Sequence, residues 1–489
     1  MRFWQRKLWG TALPAIALAG CAAAPEAAPP PSAPLTVAET PTTARTPDGQ
    51  YISWKEHLID DQQLSGGIRL RGGDGLQMAD LDQDGIEDIV SVHEDSNHIR
   101  IAFGSGFADR WELATLSSGG EAMAAEDVSI ADANGDGWLD IVAACELAHL
   151  IYFQNPGKDA RQAYWPRVIP MTARDRGSYI RVFFADLNGD GRPEVTTANK
   201  GEQLPSLPGQ EGGYTDADYP LKEISWYEVP ADPLDARGWI EHVLTRVKIP
   251  INAQPADLDG DGDLDILGGS RGEARVMWFE NLGGTPPAFR EHSIEVTGRN
   301  VPQQPGGKRL TGMNVVFHDL NKDGRLDIVL QEDPFSIVWL EQPADFSEPW
   351  PIHKIGDLSP DSSTGLALAD INGDGRPDLI TGGYSQNPRD HDEDELTADS
   401  SCGRLAWFEQ PEDPVAQWPR HDISRRKRGM YDAFIARDMD GDGDMDFAAT
   451  RGNSGNFDGV LWLEQVRTAQ PLKSFQPARE SESAPMPLP

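Results

Sequence analysis

The sequence predicts an all-β fold: a seven-bladed β-propeller of four-stranded blades, closed by the N-terminal strand joining the last blade. Three observations lead there. One nine-residue acidic loop recurs seven times, two aromatic strand signatures keep step with it, and the chain starts and ends out of phase with its own repeat.

The loops read Asp-x-(Asp/Asn)-x-Asp-Gly-x-x-(Asp/Glu). Oxygens at positions 1, 3, 5 and 9 converge on one point with a backbone carbonyl at position 7, and the Gly at position 6 permits the sharp turn. In chain order the side-chain ligands are Asp80, Asp82, Asp84 and Asp88; Asp132, Asn134, Asp136 and Asp140; Asp186, Asn188, Asp190 and Glu194; Asp257, Asp259, Asp261 and Asp265; Asp319, Asn321, Asp323 and Asp327; Asp370, Asn372, Asp374 and Asp378; Asp438, Asp440, Asp442 and Asp446. Oxygen-only cages rich in carboxylate suit Ca²⁺ at up to seven sites, with Mg²⁺ able to enter the tighter copies. Glu194, longer than Asp, makes the third loop one of the weaker sites. An EF-hand opens the same way but needs a Glu at position 12 and flanking helices, and neither is present here.

Short apolar runs follow the loops, as at Ile89-Val90, Ile141-Val142, Ile266-Leu267 and Ile328-Val329, and others precede them, as at Val315 to Phe317. Such a pair, broken by a Gly turn, is a β-hairpin with the cation in its loop. Between loops comes a Trp-x-Glu strand at Trp226, Trp278, Trp339, Trp407 and Trp462, then a Trp-x-x-His strand at Trp54/His57, Trp350/His353 and Trp418/His421, with Trp239/His242 and Phe289/His292 as relatives. Histidines that recur at one strand position are structural. Each unit therefore holds four strands, and seven such units close a ring without exposed sheet edges. The chain opens with an orphan Trp-x-x-His strand, 53–59, and finishes with an unpartnered Trp-x-Glu strand, 459–465, so the first completes the last blade.

These loops and flanks resemble the FG-GAP or VCBS repeats of integrin α-chain propellers and of many bacterial surface proteins. The resemblance covers about residues 51–466 and implies calcium in loops that join the two inner strands of each blade; it implies no particular activity. The Trp-x-x-His and Trp-Phe-Glu-Asn strands also resemble the propeller of fungal aldos-2-ulose dehydratases, although no cupin-like segment follows the ring.

Arg2, Arg6 and Lys7 precede an apolar stretch ending Leu18-Ala19-Gly20-Cys21, which resembles a bacterial lipoprotein signal. Residues 1–20 are then a signal peptide, Cys21 carries the lipid, and Ala22 directs the protein to the outer membrane of a Gram-negative cell. Residues 21–50, rich in Ala and Pro, read as a tether, and 467–489 as a disordered tail. The formal charge of -36 argues against nucleic acid. Cys145 and Cys402 fall in non-neighbouring units, and the protein is expected to be a monomer.

Function belongs where the repeats diverge. The turns leaving each second strand put Glu94, Glu146, Asn199, Lys200, Arg271, Glu332, Asp333 and Arg451 at the channel mouth opposite the loops, as ligand-binding candidates. Basic entering turns, Arg69 with Arg71, Arg174 with Arg176, Lys308 with Arg309, and Arg425 to Arg428, would attract an anion if gathered on one face. Two readings are open. In one, the propeller binds a carbohydrate, an acidic polysaccharide included, or an extracellular protein, and catalyses nothing. In the other, a lyase or dehydratase acting on a sugar or uronate uses His93, His149 or Tyr384 as proton-transfer group, with Arg271, Arg451 or Lys200 stabilising an enolate.

Overall fold

The computed structural model describes residues 34–161, 164–201, 219–298, 310–385, 392, 395–479 and 483–489. Seven antiparallel four-stranded sheets follow one another along the chain, two of them carrying a short fifth strand. Blade 1 runs Gly73–Ala79, Asp88–His93, His98–Phe103 and Glu112–Ser118, innermost strand first. The inner strands of blades 2 to 7 are Ala125–Ala131, Tyr179–Ala185, Pro250–Ala256, Val315–His318, Ser362–Ala369 and Phe434–Arg437. Every acidic loop joins an inner strand to the second strand of the same blade.

The ring closes as the strand phase requires. Tyr51–Asp61 pairs antiparallel with Gly459–Thr468 as the fourth strand of blade 7, with His57 opposite Trp462. Each joint between neighbouring blades is filled by its own apolar cluster, including the joint of blade 7 with blade 1, where Ile59, Leu76, Ile89 and Trp462 meet. The alternation of a strand explains why the second strands read as unbroken apolar runs: Ile89 faces blade 7 and Val90 faces blade 2, so both faces are buried.

The Trp-x-Glu and Trp-x-x-His strands make one repeated contact. His242 stacks on Trp226 at 3.9 Å, His57 on Trp462 at 4.1 Å, His421 on Trp407 at 4.3 Å and His292 on Trp278 at 4.5 Å. The ring nitrogen beyond the stack meets the strand's own Glu, as in His292 Nε2 to Glu280 at 2.7 Å and His353 Nε2 to Glu341 at 2.8 Å. These imidazoles are structural.

Two segments expected to hang free do not. Residues 35–50 and 467–479 pack together on blade 7, where Thr42 N–H donates to Leu472 O and Ser474 N–H to Thr40 O. Phe475–Gln476 adds a parallel strand to the outer edge of Tyr51–Asp61, and the Phe475 ring is buried. The reason is the edge itself: the closing strand presents unpaired backbone groups, and a short polar segment can satisfy them without an apolar period of its own. Val37 N–H also bonds to Met486 O, which ties the chain's last residues to the same patch. Cys21, the signal segment and residues 21–33 lie outside the described residues. Cys145 and Cys402 are both free and buried.

Candidate functional site

The seven loops share one internal wiring. In each, the position-1 carboxylate accepts the N–H of the position-6 Gly, from Asp80 to Gly85 at 2.9 Å through Asp438 to Gly443 at 3.1 Å. That Gly has φ between 83° and 100° in all seven, the left-handed region that a side chain disfavours. The position-9 carboxylate turns back to accept the N–H of position 2, as Asp88 does from Leu81 at 2.9 Å and Glu194 from Leu187 at 2.9 Å. Glu194 thus reaches the same donor as the Asp of other copies, and its second oxygen is taken by the Asn188 amide at 2.8 Å.

The donor set fits a hard cation. Carboxylate oxygens of Asp80, Asp82 and Asp88 lie within 4.8 Å of one another, as do those of Asp257, Asp259 and Asp265 and of Asp438, Asp440 and Asp446. These are the three loops with Asp at position 3. Burial pushes the position-9 acids up, Asp140 and Asp265 to about 6, Asp88, Glu194, Asp327 and Asp446 to about 7, and Asp378 to about 8. Backbone donors offset only part of this, and neighbouring loop carboxylates add to it. Counter-charges differ among copies. Arg325 pairs with Asp323, Arg376 with Asp374, and Arg161 with Asp82 and Asp84, whereas among the described residues no cation pairs with the fourth loop.

Sequence reasoning missed the groups that fill the channel itself. Inner strands carry a β-bulge near their start in blades 1, 2, 3, 4 and 6, and such bulges re-aim side chains. Here they deliver Asp74, Glu126, Arg181 and Thr364. Arg181 crosses the channel to Asp432 of blade 7 at 2.8 Å and to Asn314 of blade 5 at 2.6 Å, beside a cavity of about 250 Å³. Thr364 Oγ1 donates to the same Asp432 at 2.6 Å. The signal was present: Asp74, Glu126, Thr364 and Asp432 stand at one fixed offset ahead of Asp80, Asp132, Asp370 and Asp438.

Most rim candidates turn out to be occupied. Arg451 is buried, its Nη1 on Glu56 Oε1 at 2.7 Å and its Nε on Phe457 O at 2.6 Å, so it locks the closing strand and offers nothing to a ligand. Asn199 holds the turn to Gly201, and Asp333 caps the turn through the N–H groups of Phe335 and Ser336. Lys200 pairs with Glu146; burial, then the Arg271 guanidinium, pull its ammonium down. Arg271 also reaches Met313 Sδ at 3.5 Å, and Glu332 N–H donates to Ser336 O.

The proton-transfer candidates fail on access and geometry. His93 is fully buried, Nε2 at 3.2 Å from Ser91 Oγ, and burial pulls it down to about 3. His149 is spent on the Glu121 carbonyl at 2.9 Å. Tyr384, half-buried, belongs to a third blade, and no hydrogen bond joins any two of the three. The basic turns do not gather either. Arg71 is held by Gln62 and Asn456, Arg176 by Glu241, Arg425 by Asp361 and Arg428 by Asp392. Lys308, Arg309 and most of 386–394 lie outside the described residues.

The FG-GAP-like repeat family matches residues 80–143, 257–330 and 319–381. No curated protein matches the sequence significantly. Among solved structures, the chain is similar to the S. cerevisiae core factor, with 11% identity over 87% of this chain and 62% of that one at a TM-score of 0.45. It thus spans less than two thirds of that chain. It is also similar to BBS1N in complex with ARL6DN, with 10% identity, 84% and 96% coverage and a TM-score of 0.43, and to luciferin-regenerating enzyme, with 12%, 73% and 94%, and 0.39. The matched segments contain five of the seven acidic loops, and the remaining two, at Asp186 and Asp438, repeat the same hydrogen bonds at the same place in their blades; the chain is a seven-bladed β-propeller that carries FG-GAP-like repeats.

Proposed function

We propose that this propeller is a calcium-loaded binding protein of the cell envelope, anchored by a lipid on Cys21, that engages a carbohydrate or an extracellular protein and catalyses no reaction. The FG-GAP propeller fold supports a binding or extracellular role. The observation that carries the calcium reading is the common wiring of seven all-oxygen loops, three of which bring three carboxylates within 4.8 Å. The lipoprotein-like residues Leu18 to Cys21 support the anchor, and an exported compartment supplies the millimolar calcium that modest sites need.

The lyase or dehydratase reading loses support because His93 is sealed and His149 is committed to a carbonyl. A purified chain displayed against neutral and uronate glycans, in calcium and then in chelator, tests the proposal. Calcium-dependent capture without change in the glycan is expected. Appearance of an unsaturated uronate product would transfer the case to the enzyme. A companion Cys21→Ser variant should lose its lipid and leave the membrane fraction.

A further inference from the structure

The channel mouth away from the loops gathers carboxylates that the loops do not explain. Glu94 stands in the turn leaving the second strand of blade 1 and Glu146 in the matching turn of blade 2, while Glu126 occupies the bulge in the inner strand of blade 2. One oxygen from each lies within 4.8 Å of the other two. Glu126 is 8% exposed and Glu146 4%. Water therefore solvates little of the charge.

Their counter-charges are unequal. Glu146 has the Lys200 ammonium. The Glu126 carboxylate, among the described residues, accepts no hydrogen bond and touches no cation; Arg181 and Lys200 act on it only from a distance, against Glu94 and Asp432. Asp74, buried in the neighbouring bulge, adds a further negative group, which accepts the Glu94 N–H at 3.4 Å. A buried carboxylate without a partner is costly. Here a bulge aims one at two others.

We propose that Glu94, Glu126 and Glu146 hold a hard divalent cation, Ca²⁺ or Mn²⁺, at an eighth site on the mouth opposite the loops. The donors are all oxygen, and ligand oxygens around such an ion, at about 2.3–2.6 Å from it, lie no more than ~5 Å apart. The observed spacing meets that limit. Two ligands are buried and one, Glu94, is half-exposed, so the ion has protein on one side and the channel on the other. Its remaining coordination positions would face whatever enters. An acidic mouth that lacks a free Arg451 would thereby acquire a group able to receive a carboxylate or hydroxyl oxygen.

No ligand of this site belongs to a loop, so it stands or falls apart from the loop sites. Mn²⁺ and Ca²⁺ bound per full-length chain are counted by equilibrium dialysis. Wild type should bind one equivalent more than Glu126→Gln, Asp259→Asn should lose a different equivalent, and the double variant two. If Glu126→Gln does not fold, Glu94→Gln at the half-exposed position should show the same single loss. Lys200→Met should tighten the site by removing a competing cation. Crystals soaked in Mn²⁺ should show anomalous density among the three glutamates. An unchanged count in the glutamate variants, weaker binding in Lys200→Met, or filled loops without density at the glutamates would each overturn the assignment.

Discussion

The side-chain amide of Asn281 donates to the backbone carbonyl of Leu187, 94 residues earlier, at 2.7 Å. Leu187 is position 2 of the third acidic loop, and Asn281 is the last residue of the Trp-x-Glu strand of blade 4. The same latch joins Asn155 to Leu81, Gln342 to Leu258, Gln410 to Leu320 and Gln465 to Ile371. Each ties a blade to the acidic loop of the blade before it. At the joint of blades 2 and 3, where Val229 replaces the amide, Arg192 reaches Ala133 O at 3.3 Å instead.

Asn281→Ala should therefore destabilise the ring by roughly 1–3 kcal/mol, because it leaves the Leu187 and Leu264 carbonyls without their donor. It should also weaken calcium binding in the third loop, which it does not touch as a ligand. Urea unfolding with and without calcium measures both. Loss of stability with unchanged calcium affinity would mean that the latch holds blades but does not shape the loop.

Removing one partner of the buried Arg451–Glu56 pair should cost ~3–5 kcal/mol, as uncompensated buried charges do. Arg451→Ala and Glu56→Ala should each lower the midpoint, and the Arg451→Met, Glu56→Leu double variant should recover much of it. A stable Arg451→Ala that has lost partner binding would restore this residue to the ligand site.

Affinity should rank with carboxylate count and free charge. The fourth loop, with Asp257, Asp259, Asp261, Asp263 and Asp265 and no pairing cation among the described residues, should fill first. The fifth and sixth, whose position-5 acids are held by Arg325 and Arg376, should fill late. Arg376→Ala should raise affinity in the sixth loop. Anomalous occupancies across a Mn²⁺ series give the order, and preferential filling of the fifth or sixth loop would refute it.

Without metal, stability should fall as pH rises from about 5 to about 8. Folding raises Asp378 from the ordinary carboxylate value to about 8 and Asp88, Asp327 and Asp446 to about 7, so the folded state holds more protons across this window and ionisation penalises it. Calcium binds the ionised form, and the gain it confers should grow over the same range. Melting curves in chelator at several pH values check this; Asp378→Asn should flatten the slope.

The blade count and the acidic loops were legible because each rests on a local rule repeated seven times, and the closing strand because the repeat starts and ends out of phase. The channel groups were harder to read. Asp74, Glu126 and Thr364 sit in bulges, where the strand alternation that sequence reading relies on is broken, although their fixed offset from the loop was visible. Arg451 was misplaced on the rim because its partner Glu56 lies 395 residues away on the closing strand. Phe475 was missed because one buried ring in a polar segment has no periodicity to show.

Thermal unfolding of the full chain, in excess calcium and after chelation, tests the central claim that the seven loops hold cations which stabilise the ring. A site at 100 times its Kd contributes about 2.7 kcal/mol, so two or three filled loops should raise the Tm by at least ~5 °C, with full recovery when calcium is returned. Superimposable curves in calcium and chelator would contradict the account.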